Sequence, residues 1–298
     1  MSEPLVWLPF EVDDLPPGLR YELVADPVAH LPSSLAEVEG YVLPYRFEPR
    51  DSEFLDRMPR LRWVQSLTAG VEHLAGRIPS GVTLCNGRGV HSASTAELAL
   101  TLILSSLRGI PEFVLAQQRH EWRPLERPAL ADKRVLIVGY GDIGAAIERR
   151  LAPFEVEVVK VARTARDDVH AIADLPALLP LADVVVLVVP LTDQTRHLVD
   201  AGFLAAMKTG ALLVNVARGG VVDTGALLAE LHTGRLSAAL DVTDPEPPPA
   251  GHPLWTAPHL LLSPHVGGPS SAFLPRARRL VREQLQRFAR DEPLENAV

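Results

Sequence analysis

The sequence predicts an α/β protein of two domains, one of them a doubly wound parallel sheet, and three observations lead there. Its 298 residues exceed the usual size of a single domain, so two domains, each with its own core, are expected. Short apolar runs alternate with helical stretches along the chain, which is the α/β pattern. From Arg134 onward those runs are continuous and rich in β-branched residues, as in strands covered on both faces of a parallel sheet.

In the first part of the chain, residues 5–8, 21–24, 40–43, 63–66 and 82–85 are apolar runs bounded by turn residues and are expected as strands. Ser94-Thr95-Ala96-Glu97 has the form of a capping box, Ser94 accepting from a free amide while Glu97 reaches back. A long helix is expected to start there and to run through the apolar residues 98–107, with Gly109 and Pro111 placed to stop or bend it. Further strands are expected at 135–138, 156–161, 184–189, 211–216, 237–241 and 260–262, with helices in the gaps. The proline-dense residues 244–249 favour a stiff loop. Residues 273–288 carry apolar side chains at helical spacing, and Arg278, Arg279, Arg282 and Arg287 fall largely on other faces, as a solvated basic surface.

Composition excludes several functions. Hydrophobic residues make up 47% and charged residues 22%, so the chain is not of the disordered class. A formal net charge of −8 works against generic binding to nucleic acid or an anionic membrane, since both require a basic surface. Cys85 stands alone, which supports neither a disulfide framework nor a thiolate metal cluster, and no metal site is expected. The start Met1-Ser2-Glu3-Pro4 lacks a basic region and the next apolar patch is cut by Pro9 and Glu11, so no signal peptide is expected. No run reaches the roughly 18 apolar residues of a membrane span, and a cytoplasmic protein is expected.

Residues 135–144 place the pattern G-x-G-x-x-G between an expected strand and an expected helix. Gly139 suits the tight turn, Gly141 lets backbone approach a pyrophosphate, and Gly144 allows close packing of helix on strand. Asp142 and Ile143 stand at the helix N-terminus, whose N–H groups and positive dipole favour an anion. This is a Rossmann dinucleotide site in its proper context. The next strand ends at Ala162-Arg163-Thr164-Ala165-Arg166, where an NAD-specific fold usually carries an acid for the ribose hydroxyls. Here Arg163 and Arg166 suit a 2′-phosphate and Thr164 adds a hydroxyl, so NADP fits better, with NAD as the other cofactor.

Downstream, three segments each carry a residue suited to carbonyl chemistry: Arg218 in Asn215-Val216-Ala217-Arg218-Gly219-Gly220, Glu246 in residues 241–247, and His265 in Ser263-Pro264-His265-Val266-Gly267-Gly268. Arg218 and His265 directly follow expected strands, where open α/β sheets place their ligands, and Glu246 sits on the loop after the strand at 237–241.

With these motifs in order, the chain resembles the D-isomer-specific 2-hydroxyacid dehydrogenase family, most nearly its glyoxylate/hydroxypyruvate reductase branch. The resemblance spans nearly the whole chain and also includes the loop 66–71, Thr95-Ala96-Glu97 and residues 190–195. It implies an NAD(P)-dependent 2-keto acid reductase in which Arg218 binds the substrate carboxylate and polarises the keto oxygen, His265 is the acid/base and Glu246 orients it. It implies that Asp241 and the backbone around Val216, Ala217 and Gly267 hold the nicotinamide end with His265, and that Val189, Pro190 and Thr195 lie beside the adenosine half. Backbone amides of Ala69, Gly70 and Val71 are implied to face the substrate carboxylate. The implied fold is a Rossmann cofactor domain, residues 96–266, inserted in a flavodoxin-like substrate domain, residues 1–95 plus 267–298, with a homodimer formed through the cofactor domain. Glu155 departs from the pattern, standing where relatives usually have glycine, so a strained or reshaped connection is expected there. Arg88, His73 and Arg123 are candidates for side-chain selectivity. A cofactor-binding corepressor or a redox sensor on the same fold is the competing reading; the intact Arg218, Glu246 and His265 speak against the sensor.

Overall fold

The computed structural model describes residues 3–46, 50–74 and 76–298, and the chain divides into two units, Met1–His91 with Ser271–Val298, and Ser92–Ser270. In the first unit, β1 (Leu5–Leu8), β2 (Arg20–Leu23), β3 (Val38–Val42), β4 (Trp63–Gln65) and β5 (Thr83–Cys85) form an entirely parallel sheet in the order β2-β1-β3-β4-β5. That order is flavodoxin-like. Every expected strand is present, with ends displaced by a residue or two. Trp7, Tyr41 and Val64 pack on one face of this sheet and Val6, Leu8, Val42 and Trp63 on the other, which explains the unbroken apolar runs. Cys85 is buried in the sheet, and burial pushes its thiol up to about 11, as an inert core residue requires.

The second unit opens with α1 (Ser92–Arg108) and α2 (Ile110–Gln118). It continues through β6 (Arg134–Val138), α3 (Asp142–Leu151), β7 (Glu157–Ala162), β8 (His170–Ala171), α4 (Leu175–Leu178), β9 (Val184–Leu187) and α5 (Ala201–Ala206). It closes with β10 (Leu212–Asn215), α6 (Thr224–Thr233), β11 (Ser237–Leu240) and β12 (Leu260–Leu262). The sheet order is β12-β11-β10-β9-β6-β7-β8 with all pairs parallel, the doubly wound Rossmann order extended by one strand. Val135, Ile137, Val184, Val186 and Val214 bury one face of it against Ala96, Ala99, Ile103 and Ile147, while Leu136, Val138, Val185 and Leu213 bury the other. The chain then returns to the first unit as α7 (Phe273–Ala289), whose Ala277, Val281, Leu285 and Phe288 join the cluster of Val6, Leu8 and Trp63. Among the described residues no single helix is long and apolar enough to cross a membrane.

Two local findings refine the expectations. The first helix begins at Ser92, two residues before the expected capping box. Ser94 is therefore inside the first turn and not its N-cap; Ser92 instead gives its hydroxyl to Asp142, and Thr95 gives its own to the Gly267 carbonyl at 3.1 Å. The helix ends at Gly109, which sits in the left-handed region at φ 66°, and with Pro111 in its first turn α2 leaves at 64°. At the second place, Glu155 adopts φ 57° and ψ 44°, the conformation a glycine would take without strain, and its carbonyl accepts from Asp132 at 2.9 Å. The connection keeps its shape at the expense of strain.

Candidate active site

In the second unit the strand order reverses between β6 and β9, so a crevice opens along the C-terminal edge of the sheet. After β6 the chain turns at Gly139, φ 106°, where the N–H groups of Gly139 and Tyr140 both donate to the Val161 carbonyl at 2.8 Å. A Cβ on Gly139 would strike the Val188 carbonyl carbon at 2.6 Å, and one on Gly144 the Gly139 oxygen at 2.8 Å. A Cβ on Gly141 would meet nothing within 4 Å. Gly139 and Gly144 therefore serve close packing, while Gly141 keeps bare backbone toward open space. The amides of Asp142, Ile143 and Gly144 lie in the first turn of α3, beyond reach of that helix's own carbonyls. The Asp142 carboxylate is taken by Ser92, so what it offers a ligand is its amide.

The neighbouring loops complete this half of the edge. Val189 and Thr195 are buried, and the Thr195 hydroxyl donates to the Pro190 carbonyl at 2.6 Å and accepts from the Thr192 amide at 2.8 Å, which shapes the turn after β9. Arg163, Thr164 and Arg166 are exposed beyond the end of β7. Arg166 donates through Nη2 to the Tyr140 carbonyl at 2.6 Å, linking that loop to the glycine turn.

On the other half, Arg218, Glu246 and His265 follow β10, β11 and β12, three neighbouring strands. Asn215, fully buried at the end of β10, accepts from the Ala217 amide at 3.0 Å and donates to the Arg218 carbonyl at 2.9 Å, so the turn carrying Arg218 is clamped from within. Arg218 itself donates to the Ala217 carbonyl at 2.8 Å. A Cβ on Gly219 would lie 1.8 Å from the Thr243 oxygen; only glycine lets the β10 loop press against the β11 loop. In that second loop Glu246 accepts the Nδ1–H of His265 at 2.5 Å and the Thr243 amide at 3.3 Å. Burial raises the Glu246 carboxyl, but the His265 hydrogen bond and charge, the Thr243 amide and the Arg218 charge together hold it below the ordinary carboxylate range.

His265 has φ 53° and its turn is fixed by Asp241, which is 3% exposed. The Asp241 carbonyl accepts the His265 amide at 2.8 Å. Its carboxylate collects the Ser263 hydroxyl at 2.6 Å and the amides of Val266 and Gly267, each at 2.9 Å. Asp241 thus binds the catalytic-candidate turn itself.

Residues 69–71 belong to the first unit. There Thr68 shapes the loop after β4, exchanging a hydrogen bond with Ser66 at 2.7 Å and donating to the Gly70 carbonyl at 2.8 Å; Ala69 is exposed, Gly70 and Val71 half-buried. Sequence reasoning missed Asn215 and Ser263. Asn215 carried a signal, since asparagine at a strand end is a turn-former in a place where strands prefer branched residues.

Hydride transfer to a carbonyl needs a dinucleotide cradle and a proton donor on one sheet edge, and this unit has both; the class is that of NAD(P)-dependent dehydrogenases. The model of the D-isomer specific 2-hydroxyacid dehydrogenase NAD-binding domain matches residues 100–267. A glyoxylate reductase of Thermofilum pendens is 36% identical over 72% of this chain and 68% of its own length. Among solved structures, a D-isomer specific 2-hydroxyacid dehydrogenase family protein from Aeromonas salmonicida is similar with TM-score 0.87 at 29% identity, covering 100% of this chain and 99% of that one. An NADPH-dependent glyoxylate/hydroxypyruvate reductase from Sinorhizobium meliloti, in complex with NADP and sulfate, has TM-score 0.84 at 29% identity, covering 99% and 98%. This chain belongs to the D-isomer specific 2-hydroxyacid dehydrogenase family.

Proposed function

We propose that the chain reduces a small 2-keto acid, of the glyoxylate or hydroxypyruvate kind, to the D-2-hydroxy acid, with NADPH as the preferred and NADH as the lesser hydride source. The observation that carries this is the His265–Glu246 pair at 2.5 Å on the loops after β12 and β11, the two strands that follow that of Arg218 in sheet order. The residues fit the cofactor: Gly141 faces open space, first-turn amides of α3 are available, and Arg163, Thr164 and Arg166 are exposed where an acid would oppose a 2′-phosphate. When bound, the nicotinamide supplies a hydride to the keto carbon.

The chain's own groups do the rest. The Arg218 guanidinium matches a carboxylate in two-point fashion and polarises the keto oxygen. Glu246 fixes the proton on His265 Nδ1, leaving Nε2–H of the imidazolium to give its proton to that oxygen as the new C–H bond forms. The Ala217 and Val216 backbone and the Gly267 turn flank the nicotinamide end. Oxidation of reduced cofactor, followed by absorbance across a panel of 2-keto acids with NADPH and NADH in parallel, tests this; absence of turnover on every keto acid would overturn it.

The same unit supports a homodimer. Val114 and Leu115 on α2, together with Leu125, are about half exposed, and Trp122 is 92% exposed, an apolar surface rare on a monomer. Light scattering of the purified chain should read the mass of two chains; a single-chain mass would refute the dimer.

A further inference from the structure

A lysine sits where the second unit's sheet should be apolar. Lys160 lies on β7 between Val159 and Val161, only 9% exposed, and it bridges two carboxylates. Glu148 on α3 is 3.1 Å from its Nζ, and Asp168, beyond the end of the strand, receives a hydrogen bond from the same atom. Tyr140, between Gly139 and Gly141 in the glycine turn, covers the group: the ammonium is 5.3 Å from its ring centroid and its hydroxyl donates to Glu148. A buried ammonium costs free energy unless paired, so this cation is held by carboxylates on α3 and on the loop after β7 and not by the sheet.

Asp168 belongs to a tight hairpin. Arg166 and Val169 exchange both backbone hydrogen bonds, at 3.0 and 2.7 Å, with Asp167 at φ 33° between them. The hairpin begins at Arg166, whose guanidinium is 6.0 Å from the Tyr140 ring and bonded to the Tyr140 carbonyl. The exposed loop bearing Arg163, Thr164 and Arg166 is therefore pinned to β7 through Asp168 and to the glycine turn through Tyr140. Without Lys160, charge acts in the same direction as the lost tether. Asp167 and Asp168 are the two acids next to these arginines, and an Asp168 carboxylate left unpaired would compete for the guanidinium groups and repel a dianion.

We infer that Lys160 is a positioning residue for cofactor selectivity: by holding Asp168 it sets the loop so that Arg163 and Arg166 stay available to the 2′-phosphate of NADPH. The inference rests on the cofactor reading above and deepens it. Lys160 does not touch the cofactor; it acts through Asp168 and the loop.

The test measures dissociation constants of NADPH and NADH for the full chain without keto acid, by nicotinamide fluorescence titration. One charge-assisted contact is worth enough that Lys160→Met should weaken NADPH about tenfold and leave NADH within about twofold. Lys160→Arg, which keeps the ion pairs, should restore most of the preference. Asp168→Ala separates anchoring from bare charge and serves also if Lys160→Met fails to fold. Removal of an acid would by charge alone tighten NADPH, whereas loss of the tether should weaken it by about threefold. Parallel weakening of both cofactors, an unchanged ratio, or tighter NADPH in Asp168→Ala would overturn the inference. A wild-type preference for NADH would instead overturn the cofactor reading on which it rests.

Discussion

Glu246→Gln isolates the charge in the proposed proton-delivery pair. Glutamine retains an oxygen that can accept the His265 Nδ1–H, so the geometry at 2.5 Å is preserved while the negative charge is lost. Two unit charges 4 Å apart interact by about 4 kcal/mol near a protein surface and about 1 kcal/mol in bulk water. The side chains are 32% and 39% exposed, so solvent screening places this pair toward the lower figure, at about 1–2 kcal/mol. Since 1.4 kcal/mol corresponds to about a factor of ten, kcat for keto-acid reduction should fall about tenfold in the variant. The pH dependence follows from Glu246. Because the Glu246 carboxyl is held below its ordinary range, its contribution to the wild type is fully present above that range and disappears only as pH falls through the depressed value. Initial rates at saturating NADPH would be followed across pH, with a deuterated hydride donor to establish that chemistry limits the rate. A rate unchanged by the substitution above the Glu246 range would show that the Glu246 charge does not assist proton delivery by His265.

Three further outcomes follow from the geometry. Arg218→Lys exchanges a fork for a point charge and should lower kcat/KM for the keto acid by about a hundredfold while NADPH affinity stays within about threefold, read by steady-state kinetics beside fluorescence titration; equal loss of both would make Arg218 a structural residue. Arg163→Asp should repel a 2′-phosphate and gain hydrogen bonds to a free ribose, so the ratio of kcat/KM for NADPH to that for NADH should invert; retention of the NADPH preference would remove Arg163 from selectivity. Glu155→Gly relieves a left-handed non-glycine residue and should stabilise the fold by about 1 kcal/mol, or about 2 °C in Tm by calorimetry, whereas a lower Tm would show that the Glu155 side chain outweighs the strain.

Legibility followed the physics of each feature. Strands covered on both faces announce themselves as β-branched runs, and every strand expected in the second unit is found there. The glycines were readable because their constraint is steric and local: no other residue fits between Gly139 and the Val188 backbone. The start of α1 was misplaced because two segments compete to begin it. Ser94 and Glu97 have the right spacing for a box, but Ser92 finds Asp142 and Thr95 finds Gly267, partners 50 and 172 residues away that no local window contains. Lys160 was silent for the same reason. Nothing next to it in sequence reveals that Glu148, Tyr140 and Asp168 converge on its ammonium.

The same distinction separates residues suited to chemistry from residues that aim them. Arg218, Glu246 and His265 are polar groups in loops after strand ends and stand out by type. What brings them together is sheet order. In register, Asn215 lies beside Leu240 and Leu240 beside Leu262, so the three loops leave from one level of three adjacent strands. A loop leaving at a common level can still wander, and here the slack is removed by two buried polar side chains, Asn215 for the Arg218 turn and Asp241 for the His265 turn. Each would be costly to bury unsatisfied, and each has its oxygens taken up by backbone amides of the turn it serves. The preorganisation proposed for proton transfer is therefore already part of the fold of this unit, with its polar groups satisfied by backbone and not awaiting a ligand to order them.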